Sequence, residues 1–514
     1  MKINLKTIRS LYLFYISFYI WPSTRMDRYK SADFGETFMF GVSTSAYHSR
    51  KTESIWDKYL HDNPDVVADG RNGDVASDSY HNYERDVEML REIGVDHYRF
   101  SISWPRVLPS GFPNEINEQA FQYYDNLINE LLTYKIEPMV TLYHFDLPQR
   151  LQDLGGWANP LSIEWFEDYA KVVFDRYADK VKFWITINQP NSICVDGYGD
   201  KVMAPAVDAK GIGEYICIKN VLLAHAKAYR LYERDYKKKY NGNVGIAISV
   251  NWASPINNKT VNAQAAELYR AFTIDMYIHP IWSTYGDFPQ PVKDAVAKKS
   301  LEQGYPRSRL PSFTAEEKRL LKKSADFLGV NHYTTFLVKP AKKQFPDPSF
   351  DGDINVEISQ DDIWTSGKSV WLKSYPFGLY KALLHINQNY EYPPIFITEH
   401  GWSTNPGLWD QTRVNVLREY LKVLLFSIED GAQVKGYTVW SLMDNVEWTS
   451  GTSERFGLYE VDFDSETKNR TARLSALAYR HIIEERIIDD WTPPSLKIDV
   501  SDRSLKRAKR KTEL

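Results

Sequence analysis

The chain has 514 residues, of which 63 are Lys or Arg and 67 are Asp or Glu. Because these charges nearly balance, the protein is not one of the strongly basic proteins that bind nucleic acid or other acidic polymers. With 43% apolar and 25% charged residues, the composition is that of a globular protein with a large core. Two cysteines, Cys194 and Cys217, are too few for a disulfide framework, and the sequence contains no CxxC motif.

The N-terminal segment differs from the rest of the chain. Lys2, Lys6 and Arg9 precede an apolar stretch over residues 11–21, which is the order of the charged and apolar regions of a secretory signal. The stretch is too short to cross a bilayer as a free-standing helix. We therefore expect residues 1–25 to be a signal segment, with no stable membrane insertion beyond it. The sequence leaves its cleavage site open.

The C-terminal segment, residues 491–514, is basic and ends in the tetrapeptide KTEL at residues 511–514. This tetrapeptide resembles the KDEL class of endoplasmic-reticulum retrieval signals and departs from it at the second position. A solvated basic tail explains the same residues. Sequons at Asn258 and Asn469 are compatible with a lumenal protein. The sequence predicts entry into the secretory pathway and leaves open whether the protein is secreted or retained in the endoplasmic reticulum.

Eight apolar runs recur along the chain with helical stretches between them. Each run is bounded by Gly or polar residues and has the length of a strand that is buried on both faces, as in parallel sheets. The runs cover residues 38–47, 97–104, 138–145, 183–187, 244–250, 327–333, 394–398 and 437–442. Because eight parallel strands close a barrel, we predict an α/β protein built as a single (β/α)8 TIM barrel with elaborated βα loops.

Amphipathic helices are predicted between these runs. Residues 80–93 carry an apolar residue every three or four positions, and Gly94 is expected to end that helix. Similar patterns cover residues 117–132, 161–177 and 216–236. The region 339–369 is rich in Pro, Asp and Lys and breaks the alternation. We predict that it is a long loop at the mouth of the barrel.

Polar and aromatic side chains stand at the C-terminal ends of most predicted strands, where barrel enzymes keep their chemistry. They are Arg99, His144, Asn188, Gln189, Asn331, Tyr333, Glu399 and Trp440, followed beyond the eighth strand by Glu447 and Trp448. Each one alone has an ordinary structural explanation, such as a core histidine for His144 or a solvated cap for Glu399. Their joint placement at one end of successive strands predicts a pocket for a polyhydroxylated ligand.

Long stretches of the chain resemble glycoside hydrolase family 1, the β-glucosidase and myrosinase family, over roughly residues 32–490. They include RNGDVASDSYHNYERDVEMLREIGVDHYRFSISWPRVLPSG, YHFDLPQRLQDLGGWANP, DFLGVNHYTT, FITEHG and YTVWSLMDNVEWTSGTSERFGLYEVDF. The chain looks like the insect members in particular. The resemblance implies a (β/α)8 barrel and a retaining double displacement, in which one carboxylate attacks the anomeric carbon and a second protonates the leaving group.

The resemblance also implies roles for individual residues. Glu399 matches the family nucleophile, with His400 where the family has Asn, and Arg99 and Tyr333 match residues that hold this carboxylate. The residues expected to bind the sugar are His48, His144, Asn188, Asn331, Trp440, Glu447, Trp448 and Phe456. The resemblance implies no cofactor and no metal ion. The expected partner is a small-molecule β-glycoside, and a homodimer stays open.

The acid/base position departs from the family. The motif Thr-Phe-Asn-Glu-Pro reads TINQP here, which places Gln189 where the family has its acid/base Glu. An amide cannot cycle a proton near neutral pH, and losing general acid–base catalysis costs about 10²–10⁴-fold in rate, on the order of 3–5 kcal/mol. Plant myrosinases resemble the chain here: they also carry Gln, their glucosinolate substrate departs without a proton, and ascorbate stands in as base. We expect Gln189 to stay within about 1 Å of the family separation of about 5–5.5 Å from Glu399.

A second departure lies near the first strand. Where the family has Ser-Tyr-Gln-Ile-Glu-Gly, residues 46–51 read AYHSRK, and several residues of the Gly-rich loop that follows are missing. His48 therefore stands where the family has the Gln that holds two sugar hydroxyls. A neutral imidazole offers one donor and one acceptor, so it substitutes for that amide with altered reach.

Three functions remain open at this stage. The first is a retaining β-glycosidase that acts on β-glucosides with good leaving groups, in the manner of a thioglucosidase. The second is a catalytically impaired member that binds a glycoside or a protein partner. The third is a transglycosidase whose acceptor supplies its own nucleophile. Glu399, Arg99, Tyr333 and Glu447 favour activity, whereas Gln189 and the region around residue 48 favour impairment, and the aglycone is not readable from the sequence.

Overall fold

The computed structural model of the protein has a closed barrel of eight parallel strands at its centre. The described residues are 34–46, 53–343, 345–493 and 495–496. The signal segment 1–25, His48 and the tetrapeptide at 511–514 lie outside the described residues. The barrel strands lie within residues 32–490, the region that resembles the family.

The barrel strands follow one another in chain order. They are β1 Met39–Ser43, β2 His97–Ser101, β3 Glu137–Tyr143, β4 Phe183–Asn188, β5 Asn243–Ser249, β6 Phe327–Asn331, β7 Ile395–His400 and β8 Val434–Trp440. Each strand pairs in parallel with the next, and β1 closes the barrel on β8 with Val42 opposite Val439. All eight predicted strands are confirmed. Several of the predicted runs extend too far at the C-terminal end, because the apolar sequence continues into loops that line the barrel mouth.

Helices follow every strand. After β1 to β4 they are Ile55–Asp62, Ser79–Ile93, Trp104–Val107, Glu118–Thr133, Gln149–Asp153, Ser162–Tyr177, Pro190–Tyr198, Gly213–Tyr232 and Lys238–Tyr240; after β5 to β8 they are Thr260–Arg270, Met276–Trp282, Gln290–Glu302, Ala315–Leu321, Phe350–Ile354, Phe377–Asn389, Gln411–Glu429 and Leu474–Glu485. The helix after β1 ends as predicted: Gly94 adopts φ 83°, and its N–H donates to Leu90 O. Glycine enters this left-handed region without the Cβ clash that other residues meet.

A plug of apolar side chains fills the N-terminal half of the barrel. Met139, Ile185, Ala247, Phe327 and Phe396 form one buried cluster. The Phe396 ring lies 5.3 Å from the ring of Phe327, centroid to centroid. Because these side chains fill the N-terminal half of the barrel, space for a ligand is restricted to the C-terminal ends of the strands.

The region 339–369 is not the plain loop that its composition predicts. It contains the helix Phe350–Ile354 and the strand Val356–Ser359, which pairs antiparallel with the strand Thr335–Pro340. Trp252–Pro255 completes this small three-stranded sheet. Elements of four to six residues are too short to show a periodicity, so the prediction of an unstructured loop is wrong here.

The two cysteines are bonded to each other. Cys194 lies in the helix that follows Gln189, Cys217 lies in the long helix Gly213–Tyr232, and their Cα atoms are 5.4 Å apart. The count of cysteines did not predict this pairing. Within the described part of the chain, none of the helices has the length and hydropathy needed to cross a membrane.

Candidate active site

The carboxylate of Glu399 lies near the end of β7, and the residue is only 3% exposed. Arg99 Nη1 donates to Glu399 Oε1 at 2.6 Å, and Tyr333 Oη donates to Glu399 Oε2 at 2.8 Å. A buried carboxylate is stable only when it is paired and hydrogen-bonded, and both oxygens meet this condition here. The carboxylate is therefore held in a fixed orientation towards the barrel mouth.

Arg99 connects four strands of the barrel. Besides Glu399, its guanidinium donates to Asn188 Oδ1 at 2.7 Å, to Thr141 Oγ1 at 3.2 Å and to Thr398 O at 2.9 Å. These partners lie on β4, β3 and β7. Five N–H donors in a rigid plane allow one arginine to hold several oxygens at once, which a lysine cannot do in the same geometry.

Asn331 lies within this network. Its Nδ2 donates to Asn188 Oδ1 at 2.9 Å, and its Oδ1 accepts from Thr398 Oγ1 at 2.6 Å. Asn188 in turn donates through Nδ2 to His144 Nε2 at 3.1 Å. The polar residues predicted at separate strand ends thus form one continuous set of hydrogen bonds.

Gln189 lies beside Glu399 and contacts it. It follows β4 directly and adopts a left-handed backbone conformation with φ 49°. Its Nε2 donates to Glu399 Oε2 at 3.4 Å, and its Oε1 accepts from Ser192 Oγ at 3.2 Å. The contact between the two residues is therefore a hydrogen bond from an amide N–H to a carboxylate. The predicted separation of about 5–5.5 Å between the Gln189 amide and the Glu399 carboxyl group stays a prediction.

Aromatic rings line one side of the pocket. The His144 ring stacks on Trp440 with centroids 5.6 Å apart and an interplanar angle of 26°. Trp448 lies 6.3 Å from His144 and 4.5 Å from Trp56, again between ring centroids. Flat apolar faces of this kind pack against the C–H faces of a sugar ring while its hydroxyls reach polar neighbours.

Glu447 is a second carboxyl group in the same pocket. Its Oε2 accepts from Trp440 Nε1 at 3.4 Å. Burial raises the pKa of Glu447 to about 8, opposed by the Trp440 hydrogen bond and reinforced by the negative charges of Glu454 and Glu399. At neutral pH this carboxyl is therefore protonated in the free protein and is able to donate as well as accept a hydrogen bond.

The structure brings together all described site residues that the sequence predicted, and it adds others. Phe456 stands edge-on to Tyr333 with centroids 6.3 Å apart, as a wall residue would. Trp371, which the sequence analysis did not select, lies 5.8 Å from the same ring. Ser192 and Thr141 were also missed. The spacing of three residues between Gln189 and Ser192 on the first turn of a helix was a signal that could have identified Ser192.

Comparison with known proteins decides the family. The sequence profile of Glycosyl hydrolase family 1 matches residues 30–487. The chain belongs to glycosyl hydrolase family 1. Within this family it is similar to Myrosinase 1 of Brevicoryne brassicae, with 41% identity over 460 residues, 88% of this chain and 98% of the relative.

Solved structures agree with this assignment. The structure of aphid myrosinase superposes with a TM-score of 0.85 at 41% identity, covering 88% of this chain and 99% of the other. A rice β-glucosidase is similar at 33% identity with a TM-score of 0.82, covering 87% and 98% of the two chains. That structure is described as a glutamate-to-glutamine mutant in a covalent complex with Glc. As a glycosyl hydrolase family 1 member, the protein is a β-glycosidase with myrosinase and β-glucosidase relatives, in a family that works by the retaining mechanism.

The described residues of this family 1 chain offer no group of three or more His, Cys, Asp or Glu side chains arranged to hold a metal ion.

Proposed function

We propose that the protein is a retaining β-glucosidase that acts on β-glucosides with good leaving groups, as a thioglucosidase does. The observation that carries this proposal is that Glu399, held by Arg99 and Tyr333, faces the amide of Gln189 instead of a second carboxyl group. The nucleophilic half of the mechanism is then complete, while the acid/base half is absent.

In the first step, Glu399 attacks the anomeric carbon and the bond to the leaving group breaks. The electron pair of that bond goes to the leaving atom. Since Gln189 has no proton to give, the leaving group departs as an anion, and its own pKa determines the rate. Glucosinolates, nitrophenyl glucosides and acyl glucosides meet this requirement, whereas alkyl glucosides and cellobiose do not.

In the second step, water attacks the anomeric carbon of the glucosyl ester and releases Glu399. Gln189 cannot take the proton of that water, so the proton goes to solvent and the step is slow. The ester should therefore accumulate. The covalent Glc complex described for the glutamate-to-glutamine mutant of the rice relative supports this expectation, because a family member carrying such a change holds a glucosyl group.

Binding of the sugar is assigned to the remaining pocket residues. Trp440 supplies the floor beneath the ring, and Glu447 and His144 lie beside it, within reach of hydroxyl groups of a sugar on that floor. Asn188 donates to His144 and is itself held by Arg99 and Asn331. His48, at the position of the family Gln, is proposed to complete the set.

The chain is also proposed to enter the secretory pathway. Its proposed organisation is a signal segment over 1–25, the barrel over 32–490 and a basic tail over 491–514. The bond between Cys194 and Cys217 supports this route, because disulfides persist in oxidising compartments and are rare in the cytosol.

Incubation with 2,4-dinitrophenyl β-glucoside tests the proposed chemistry. We expect a burst of dinitrophenol close to one equivalent, followed by a slow phase, and a glucosyl adduct on the peptide that contains Glu399 by mass spectrometry. Azide should accelerate the slow phase and yield glucosyl azide. A Glu399→Gln variant is the matched control and should show neither burst nor adduct. A folded parent protein with no burst and no adduct would favour binding without turnover.

A further inference from the structure

A polar cavity of about 590 Å³ lies outside the candidate active site. Its lining includes Asp69, Arg71, Arg455, Asp464, Asn469 and Thr471. The side chains of Asp464 and Arg71 on its rim are 86% and 40% exposed, and they form an ion pair at 2.7 Å. Carboxylates, guanidinium groups and hydroxyls together match a ligand that both donates and accepts hydrogen bonds along its length.

Two of the lining residues belong to a sequon, Asn469-Arg470-Thr471. The sequon lies where the strand Arg470–Ala472 begins, opposite Tyr459–Val461 in a hairpin. Arg470 points inwards and pairs with Asp86 at 3.0 Å, whereas Asn469 and Thr471 are exposed. Side chains alternate along a strand, so the two residues that define the sequon share the outer face.

We propose that Asn469 carries an N-linked glycan whose first sugars lie in this cavity. The proposal rests on the secretory routing proposed above. A transferase of the host would supply the sugar from a lipid-linked oligosaccharide diphosphate. The bond between Asn469 Nδ2 and the anomeric carbon forms, the bond from that carbon to the diphosphate breaks, and the amide loses one proton.

The geometry of the folded hairpin accommodates this modification. The backbone of Asn469 is held by hydrogen bonds from Asp462 N to Asn469 O at 2.9 Å and from Asn469 N to Ser465 Oγ at 3.1 Å. The exposed side chain has Oδ1 bonded to Thr467 Oγ1 at 3.0 Å. A glycan attached at Nδ2 therefore starts at the rim of a cavity that already carries donors and acceptors for its hydroxyls.

The cavity is also lined by Thr452, Ser453 and Arg455, which lie in the sequence next to the candidate active site. Asp69 Oδ2 accepts from Thr452 N at 2.7 Å and from Thr452 Oγ1 at 2.6 Å. Thr452 belongs to the segment 449–455 between Trp448 and Phe456, the two aromatic wall residues described above. A glycan in the cavity would bridge the hairpin and this segment, and its presence should slow local opening of the segment.

The other sequon provides an internal comparison. Asn258 is exposed, and Thr260 begins the helix Thr260–Arg270, but neither residue lines this cavity. A glycan at Asn258 would therefore extend from a surface turn without the contacts available at Asn469. Any protection of the segment 449–455 should depend on Asn469 alone.

The test uses the full chain expressed in a eukaryotic secretory host, with glycopeptide mapping before and after treatment with peptide N-glycosidase. We expect a glycan on Asn469 in the parent and in Thr471→Ser, which keeps the sequon, and none on that residue in Thr471→Ala. Hydrogen–deuterium exchange of residues 449–455 should be slower in the parent than in Thr471→Ala. Asn258→Gln should leave it unchanged.

Each alternative outcome is decisive. Protease protection in intact microsomes from the same host tests entry into the secretory pathway separately. If the protein is protected there but Asn469 carries no glycan, the proposed glycan is wrong and the proposed secretory routing stands. If the protease digests the protein because it lies outside the microsomes, both the glycan on Asn469 and the secretory routing are wrong. Occupied Asn469 with equal exchange in the parent and in Thr471→Ala overturns the placement of the sugars in the cavity.

Discussion

Replacing Gln189 with glutamate tests the candidate site most directly. Gln189→Glu exchanges one NH2 group for an oxygen at a position 3.4 Å from Glu399 Oε2, without a change in side-chain length. We expect the variant to hydrolyse alkyl β-glucosides, because it restores a group that protonates the leaving oxygen. Since general acid–base catalysis is worth about 10²–10⁴-fold, kcat/KM for an alkyl glucoside should rise by that factor.

The same geometry determines how the introduced carboxyl group titrates. Two negative charges 3.4 Å apart, the distance found here, repel by about 5 kcal/mol at an effective dielectric constant of about 20. Arg99 forms an ion pair with Glu399 at 2.6 Å, and a second negative charge beside that pair is disfavoured, so the introduced carboxyl stays protonated. Relative to the parent, the variant should therefore gain a descending alkaline limb in its profile of kcat/KM against pH.

The assay compares initial rates on nitrophenyl and octyl β-glucosides for parent and variant from acidic to alkaline pH. The double variant Gln189→Glu with Glu399→Gln is the control, and it should be inactive on both substrates. A variant that unfolds at the same temperature as the parent and remains inert on octyl glucoside would refute the reasoning. The defect would then lie elsewhere, with His48 as the first residue to exchange.

Three further perturbations test single contacts. Tyr333→Phe removes a hydrogen bond to the Glu399 carboxylate, worth about 1.5–3 kcal/mol, so kcat/KM on nitrophenyl glucoside should fall about 10–160-fold; an unchanged value would contradict the role of Tyr333. The pKa of Glu447 is raised from 4.5 to about 8, so its contribution to stability is fully present below pH 4.5 and is lost as the pH rises towards 8. The melting temperature of the parent should therefore fall over this pH range, and Glu447→Gln should make the fall smaller. An equal fall in parent and variant would contradict the raised pKa. Replacing Cys194 and Cys217 with serine opens a link across 23 residues, which should lower the free energy of unfolding in urea by about 3 kcal/mol, and an unchanged midpoint would count against the bond.

The sequence predicted the barrel well because its strands are buried on both faces. The runs around Val140 and Ile397 are continuous in apolar residues, and such runs are readable without knowledge of their partners. The strand-end residues were likewise readable, since the parallel order of the strands places Asn188 and Glu399 at the same rim.

Other features depend on contacts between distant residues and were not predictable in this way. The bond between Cys194 and Cys217 follows from how two helices pack, which the spacing of cysteines does not encode. The small sheet that contains Val356–Ser359 is stabilised by pairing with Thr335–Pro340 and not by its own periodicity. Trp371 faces Tyr333 only because the chain folds back over the barrel mouth.

The hydrogen bonds between Arg99 and Glu399 have a consequence for how this site can evolve. The hydrogen bonds of Arg99 reach Glu399, Asn188, Thr141 and Thr398 without passing through Gln189. An exchange at position 189 therefore changes one contact of Glu399 and leaves the hydrogen bonds of Arg99 in place. Codons for glutamate and glutamine differ by a single nucleotide, so under the proposed chemistry one mutation separates acid-assisted from acid-independent glycoside cleavage. Because the hydrogen bonds of Arg99 do not involve residue 189, a mutation in either direction meets the same Arg99 contacts to Glu399 and Asn188.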